Sequence, residues 1–293
     1  MTITRSLHHL VFGLLVGFIW LNAPQTAHAQ QAPPTIAVGA PGQLQELVLR
    51  DGTRAFGRVE KIDNNRVTFR TEAGAVLEVD LAQVISAGIA AGRIVGSDYW
   101  PNDSNPTRLF FAPTGRTLKR GEAYFGLYEI YIPFVQYGVT DRFSIGGGTP
   151  LITGGGYHPL WFTPKLLIVS RPTTQASIGV MHFLNIEHAS VGIAYASITQ
   201  GTTDSAATLG LGWAYDRGND STGTAVVMVG GEHRLSRRTK FVTENYIIDG
   251  HSLISAGFRV MGEKLSADLG LVSTPEALPV AFPMVNFVWK FTK

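Results

Sequence analysis

The chain has 293 residues with 33 glycines, no cysteine, 16% charged residues and a formal net charge of +2. The lack of cysteine excludes disulfides, thiolate nucleophiles and cysteine-based metal sites, and so small a net charge gives no reason to expect a nucleic acid partner. Soluble domains carry about 25% charged residues, so the low charged fraction favours a chain with part of its surface in lipid.

The first 29 residues have the composition and order of a secretory signal peptide. Arg5 precedes an apolar run over 10–21, and Ala-His-Ala at 27–29 supplies a small-residue cleavage pattern. That run is about a dozen residues long, whereas a helix that spans a bilayer needs about 20. We therefore predict an exported chain, with a signal peptide over 1–29 and a mature N-terminus near Gln30.

The next segments predict a flexible leader and a small β-domain. Residues 30–43 are rich in Pro, Gly, Ala and Gln, which is typical of a leader without fixed structure. Residues 44–87 contain short alternating runs between turn signals such as Asp51-Gly52, which predicts four or five short strands. Through its L-x-D-G-T, G-x-V and G-x-x-x-x-V-D patterns, the segment resembles SH3-like or Sm-like small β-barrels. It gives no reason to expect nucleic acid binding, because its basic and acidic residues balance and it is predicted to be exported.

After a connector over 88–106, the pattern changes to strand-like segments of roughly ten residues, the length that transmembrane β-strands have. We predict an all-β chain with an antiparallel up-and-down transmembrane β-barrel over 107–293, of about 12 strands by this count. The predicted strands are 107–118, 122–140, 142–149, 161–170, 175–184, 189–199, 206–216, 225–235, 240–248, 253–261, 265–273 and 284–292. A barrel of ten strands is the alternative if 107–118 and one other segment are connectors.

Alternation within the segments supports a barrel with one apolar and one polar face. In 206–216, Leu209, Leu211 and Trp213 alternate with small or polar residues. Because successive side chains of a strand point to opposite faces, this pattern predicts a lipid-facing row and a lumen-facing row. A soluble β-sandwich or a lipocalin-like ligand-binding barrel also alternates, and both stay open as alternatives.

The predicted joints favour the membrane barrel, since outer-membrane barrels have short turns at one end and longer loops at the other. The tight joints are Asp141, 171–174, 236–239 and 262–264, and the longer loops are 150–160, 217–224 and 274–283.

The last segment carries aromatic residues at alternate positions, among them Phe287, Trp289 and Phe291. It resembles the terminal recognition strand of bacterial outer-membrane barrels, although it ends Phe-Thr-Lys and not on an aromatic residue. The resemblance implies location in the cell outer membrane, contact with its lipid, and recognition of this strand by the barrel-assembly machinery. Residues 44–87 would then lie in the periplasm, where peptidoglycan or a periplasmic protein is the expected contact.

The sequence contains no Gly-rich phosphate loop, nucleophile elbow or zinc motif, and we expect no cofactor and no metal. His182, Glu187 and His188 are close in sequence, but their position where two predicted strands join favours a structural role. Ser252 beside His251 supplies candidate atoms for a lipid-modifying hydrolase, which needs a nucleophilic serine near a histidine. Adjacency in sequence alone is not diagnostic of such a site.

Five charged residues on the predicted strands are candidates for a polar cluster in the lumen. They are Glu232, Arg234, Glu244, Arg259 and Asp268. Because an unpaired buried charge is costly, we expect them to face the lumen and to pair with one another. They either hold the barrel together and fill its interior, or line a narrow aqueous path or surround an acid-base site. We therefore predict a structural or narrow-channel role without enzymatic activity, the alternatives being a lipid-modifying enzyme or a soluble periplasmic ligand-binding protein.

Overall fold

The structure is a computed structural model that describes residues 35–36, 39–40, 42–151, 159–186, 189–216 and 223–291. The predicted signal peptide lies outside these residues, as do Glu187, His188 and the last two residues of the chain. The chain divides into two compact units, Met1–Ile89 and Ala90–Lys293. Across the described ranges, no helix has the length and apolar character needed to cross a membrane. The helices there are two short 3-10 helices, Leu81–Gln83 and Pro275–Ala277.

The first unit contains a six-stranded sheet. Its strands are β1 Thr35–Ile36, β2 Gln45–Leu49, β3 Arg54–Asp63, β4 Arg66–Thr71, β5 Val76–Asp80 and β6 Val84–Ile89. Their spatial order is β1-β6-β2-β3-β4-β5, and β1 runs parallel to β6 while the other neighbours are antiparallel. Leu47, Val67 and Phe69 are fully buried in its small core, as the alternation in the sequence predicts. The resemblance to SH3-like or Sm-like domains stays a prediction.

The second unit begins with a hairpin of β7 Gly92–Val95 and β8 Asp98–Pro101 and continues into a barrel. The strands of its wall are β9 Ala123–Tyr128, β10 Ile132–Gly138, β11 Phe143–Gly148, β12 Leu160–Phe162, β13 Lys165–Ser170, β14 Thr174–Ile186, β15 Ala189–Gly201, β16 Ser205–Asp216, β17 Thr224–Arg234, β18 Thr239–Ile248, β19 His251–Met261, β20 Leu265–Ser273 and β21 Phe282–Phe291.

The described wall is a closed ring of twelve antiparallel strands, which confirms the predicted fold class. β12 and β13 form one interrupted wall strand, because each pairs with both β11 and β14. The last strand, β21, pairs with the first, β9, and so closes the ring. A single closed ring rules out the β-sandwich alternative.

The number of strands is as predicted, but two of the predicted segments are wrong. Residues 107–118 do not form a wall strand, and residues 122–140 form two strands, β9 and β10, instead of one. The chain reverses at Glu129 and Ile130, whose φ angles are 49° and 67°. Tight hairpins with two left-handed residues usually carry Asn-Gly or a similar pair, so this turn has no signal in the sequence. The two errors cancel in the count.

The outer face of the barrel is apolar. Leu209, Leu211 and Trp213 are 43%, 56% and 52% exposed, whereas Thr208, which precedes Leu209, is buried on the lumen side. Trp289 and Phe291 of the last strand also lie on the outer face. A lipocalin-like barrel has the opposite arrangement, with its apolar residues inside.

The two ends of the barrel differ in the length of their connections. At the end that we call the turn end, the strands are joined by three or four residues, over 139–142, 171–173, 202–204, 235–238 and 262–264. At the other, which we call the loop end, the long connections are 149–159, 217–223 and 274–281, with shorter ones at 129–131, 187–188 and 249–250. This asymmetry follows the prediction from the sequence.

Candidate functional site

The lumen of the barrel contains the protein's own segment 102–118, which we call the plug. Inside the barrel this segment folds as a hairpin: the Leu109 N–H donates to the Ala112 carbonyl and the Thr114 N–H to the Thr107 carbonyl, each at 3.0 Å. The apex of the hairpin lies at 109–112, about halfway up the wall. Residues assigned from the sequence to the first wall strand therefore fill the interior.

The apolar apex of the plug fits against two glycines that face the lumen. Leu109 and Phe110 are fully buried. A Cβ atom on Gly230 would lie 2.4 Å from the Leu109 Cδ1, and one on Gly270 would lie 3.1 Å from the Phe110 Cζ. A Cβ atom at position 230 would also lie 2.5 Å from the Thr243 carbonyl oxygen, which belongs to the neighbouring strand, so glycine at this position suits both the strand pairing and the space that Leu109 occupies.

A network of buried charges holds the plug in the turn-end half of the lumen. The Asp103 carboxylate accepts from the Lys240 Nζ at 2.6 Å and from the Arg259 Nη1 at 3.1 Å. Lys240 also donates to Glu232 at 2.9 Å, and Glu232 accepts a second bond from Arg116 of the plug. All five side chains are almost fully buried. The network thus joins both limbs of the plug hairpin to β17, β18 and β19.

Arg259 binds the wall and the plug backbone at the same time. Its guanidinium makes a bidentate pair with Asp268, with Nε to Oδ1 at 2.6 Å and Nη2 to Oδ2 at 2.9 Å. The same group donates to the carbonyl of Asn105 at 2.7 Å and to that of Leu109. Because the fork geometry of arginine is rigid, the pair with Asp268 fixes the direction in which the remaining donors reach the plug.

Glu244 binds the apex. Its Oε2 accepts from the backbone N–H groups of Phe110, Phe111 and Ala112 at 2.8, 3.0 and 2.9 Å. Its Oε1 accepts from the Tyr246 hydroxyl at 2.7 Å. Hydrogen bonds to an ionised acceptor are about twice as strong as neutral ones, so one wall side chain satisfies three successive N–H groups of the buried turn.

The opposite side of the wall binds the plug through further polar contacts. Arg108 of the plug donates to Gln136 at 3.2 Å and to the Tyr124 hydroxyl at 3.3 Å. Lys165 of β13 donates to the Thr107 carbonyl at 3.3 Å. Together with the charged network, these bonds join the plug to β9, β10, β13, β17, β18 and β19.

All five residues of the predicted polar cluster are buried and face the lumen. Only two of them form an ion pair with each other. These two are Arg259 and Asp268. Glu232 binds Lys240 and Arg116, Glu244 binds the plug backbone, and Arg234 binds Asp204 at 3.1 Å. Their grouping as a functional site stays a prediction.

Sequence reasoning missed the partners that connect the cluster. Lys240 lies four residues before Glu244 on the same strand and therefore faces the lumen, so strand parity could have identified it. Asp103, Arg108 and Arg116 lie in segments taken as a connector and a wall strand, and nothing local marks them as plug residues. The ion pairs of Asp103 and Arg116 with the wall span more than 100 positions of sequence, as from Arg116 to Glu232.

The candidate catalytic groups do not form a site. His182 lies on the outer face, where its Nδ1 is 2.9 Å from the Tyr215 hydroxyl, while Glu187 and His188 fall outside the described residues. His251 and Ser252 are the first two residues of β19 and point to opposite faces. Within the described ranges no three His, Asp or Glu side chains form a group that would hold a metal ion.

The loop-end half of the lumen is apolar and aromatic. Around the apex, Met228 and Met284 are buried, and Tyr246 and Val272 pack against them. A second cluster on the other side includes Tyr128, Phe134 and Trp161, with Tyr128 and Phe134 stacked at 4.1 Å between ring centroids. Above the apex is a cavity of about 140 Å³. The polar lumen expected from the sequence is thus confined to the turn-end half.

No protein-family model matches the chain, and no curated protein does. Similar solved structures include the KdgM porin in complex with disordered oligogalacturonate, at 6% identity over 58% of this chain and 98% of the porin, with a TM-score of 0.47. Another is a loop-deletion mutant of OmpT, an outer membrane protein of Vibrio cholerae, at 11% identity over 85% of this chain and 96% of that one, with a TM-score of 0.33.

Proposed function

We propose that this protein is an outer-membrane β-barrel whose lumen is closed by its own plug, and that its role is structural or in gated transport. The observation that carries the proposal is the binding of the plug by Lys240, Glu244 and Arg259 of the wall across the lumen. A constitutively open pore needs a free path through the barrel, and residues 102–118 lie in that path. Transport would therefore require the plug to move.

The distribution of apolar and charged side chains supports a membrane location. Large apolar residues such as Leu271 and Trp289 are more than half exposed on the outer wall, while Arg259, Lys240 and Glu244 are buried inside. Contiguous apolar surface of this kind marks membrane contact, and closed barrels solve the backbone hydrogen-bonding problem in lipid.

Several finer assignments belong to the same proposal. Residues 1–29 would direct export, the turn end would face the periplasm, and β21 would be recognised by the barrel-assembly machinery. The small sheet over 44–87, which resembles SH3-like or Sm-like domains, would contact peptidoglycan or a periplasmic protein. Export and membrane location are tested by cell fractionation, with a change in gel mobility on heating as the sign of a folded barrel in the outer-membrane fraction.

Conductance across a planar lipid bilayer tests the closed state. We expect no conductance steps from the wild-type protein and clear steps from the double variant Asp103→Ala, Arg116→Ala, which removes the plug's ion pairs with Lys240, Arg259 and Glu232 of the wall. Asp98→Ala is the matched control, because it breaks an exposed ion pair with Arg237 at the turn end and leaves the plug contacts intact.

Steps of equal size from the wild type and the double variant would contradict a closed resting state. No steps from any of the three proteins would contradict gating and leave the structural role.

A further inference from the structure

The cavity above the plug apex lies between the plug and the inner wall. Its volume is about 140 Å³, and its lining includes Phe111 and Pro113 of the plug with Met181, Val226, Met228 and Tyr246 of the wall. Several of these side chains, among them Met181 and Tyr246, are only partly buried, so the lining is not sealed by packing. Of the charged groups that hold the plug, Glu244 borders this space, because it binds the Phe111 N–H and the Tyr246 hydroxyl. Asp103, Lys240 and Arg259 lie nearer the turn end, away from it.

The size and the lining of the cavity limit what it can hold. An apolar cavity of about 150 Å³ in another protein stays dry and binds benzene, so this one has room for a single six-membered ring. Methionine side chains adapt their shape and make favourable contacts with aromatic rings. Phe111 and Tyr246 offer aromatic neighbours, for which a second ring is a better partner than a saturated chain.

We propose that this cavity binds one monocyclic aromatic molecule, such as a simple phenol. The inference deepens the proposed function and rests on it, because it names the class of molecule that the closed barrel holds on the loop-end side of its plug. The bound ring would lie against Phe111 at the apex. A ligand of this class therefore touches the segment that must move if the barrel opens.

The test uses para-fluorophenol as the probe and fluorine NMR of the full mature protein, held in amphipol, to detect binding. Two tryptophan substitutions on β17 form a matched pair: Val226→Trp fills the cavity, whereas Val229→Trp adds the same side chain to the outer face. We expect the wild type and Val229→Trp to bind the probe equally, and Val226→Trp to bind it at least about tenfold more weakly. Heat-modifiable gel mobility checks that both variants form the barrel.

A second variant keeps the test decisive if Val226→Trp does not fold. Met181→Ala enlarges the cavity, so we expect a naphthol to bind this variant at least about tenfold more tightly than it binds the wild type. Cyclohexanol serves as the saturated competitor of similar size. Equal binding of the probe by the wild type and Val226→Trp, or displacement by cyclohexanol as effective as that by phenol, would overturn the proposal. Since binding is measured with the plug in place, its failure is distinct from a failure of the conductance experiment.

Discussion

The two halves of the lumen hold the same plug by different physical means. In the turn-end half, Asp103, Lys240 and Arg259 form directional bonds among buried charges. In the loop-end half, Phe110 and Met228 make non-directional apolar contacts. Buried ion pairs add little net stability but are sensitive to the loss of one partner, whereas apolar contacts add stability with little preference for one register. We infer that the charged half sets where the plug lies and the apolar half adds to its stability.

The largest expected effect comes from Arg259→Ala, which leaves the Asp103 and Asp268 carboxylates without their shared buried cation. We expect the free energy of unfolding to fall by about 4 kcal/mol, as measured by urea unfolding followed through tryptophan fluorescence. Release of the plug should also allow trypsin to cleave after Arg116. Arg237→Ala is the control at an exposed pair, where we expect a change under about 0.5 kcal/mol. An intact plug in Arg259→Ala under trypsin would refute the role given to the charged half.

Phe110→Ala tests the apolar half. Removing a fully buried phenylalanine should lower the free energy of unfolding by about 3 kcal/mol in the same urea experiment. In contrast to Arg259→Ala, we expect trypsin resistance at Arg116 to persist, because the charged bonds stay in place. If both variants were cleaved at the same rate, the distinction between the two halves would be lost.

Glu244→Gln tests the contact at the boundary between the halves. The amide oxygen can still accept from the three backbone N–H groups, but the NH₂ group takes the place of Oε1, so the Tyr246 hydroxyl can no longer donate there. We expect a loss of about 1 to 2 kcal/mol. Glu122→Gln is the control, because its pair with Lys290 is only partly buried. A loss no larger than that of the control would show that Glu244 is not needed to hold the apex.

The smallest expected effect is a pH dependence at the turn end, where Asp204 binds Arg234 and Arg93. Partial burial alone would raise the pKa of Asp204, but the hydrogen bonds from the two arginines hold this pKa below its ordinary value. A carboxyl with a lowered folded-state pKa adds stability that is present above about pH 4 and is lost as the pH falls through the lowered value. We expect a loss under about 1 kcal/mol, measured as a shift of the urea midpoint. In Asp204→Asn, we expect this shift of the urea midpoint with pH to disappear. If the shift persisted in that variant, a group other than Asp204 would cause it.

The wall of the barrel could be predicted from the sequence because its pattern is local. The predicted strand over 265–273 has the bounds of β20, and that over 206–216 differs from β16 by one residue. The plug could not be predicted, since residues 107–118 have the length and apolar content of a wall strand and some of their partners are distant in sequence, as in the bond from Phe110 to Glu244. The small and polar residues on the inward face of the wall strands indicate only that the lumen has room for other groups. They do not indicate which segment of the chain occupies it.

The path of the plug has a mechanical consequence. Just before the plug begins, the Pro101 carbonyl accepts a hydrogen bond from Arg234 at 2.8 Å. Just after the plug ends, the Gly121 N–H donates to the Gly138 carbonyl. Arg234 and Gly138 both lie at the turn end. The plug therefore enters and leaves the barrel by the same opening, and the chain does not pass through the barrel from one end to the other. Tension applied ahead of residue 102 can therefore extract the hairpin without breaking any pair of wall strands. In a single-molecule pulling experiment, such an extraction would lengthen the chain by about 6 nm before the barrel itself yields.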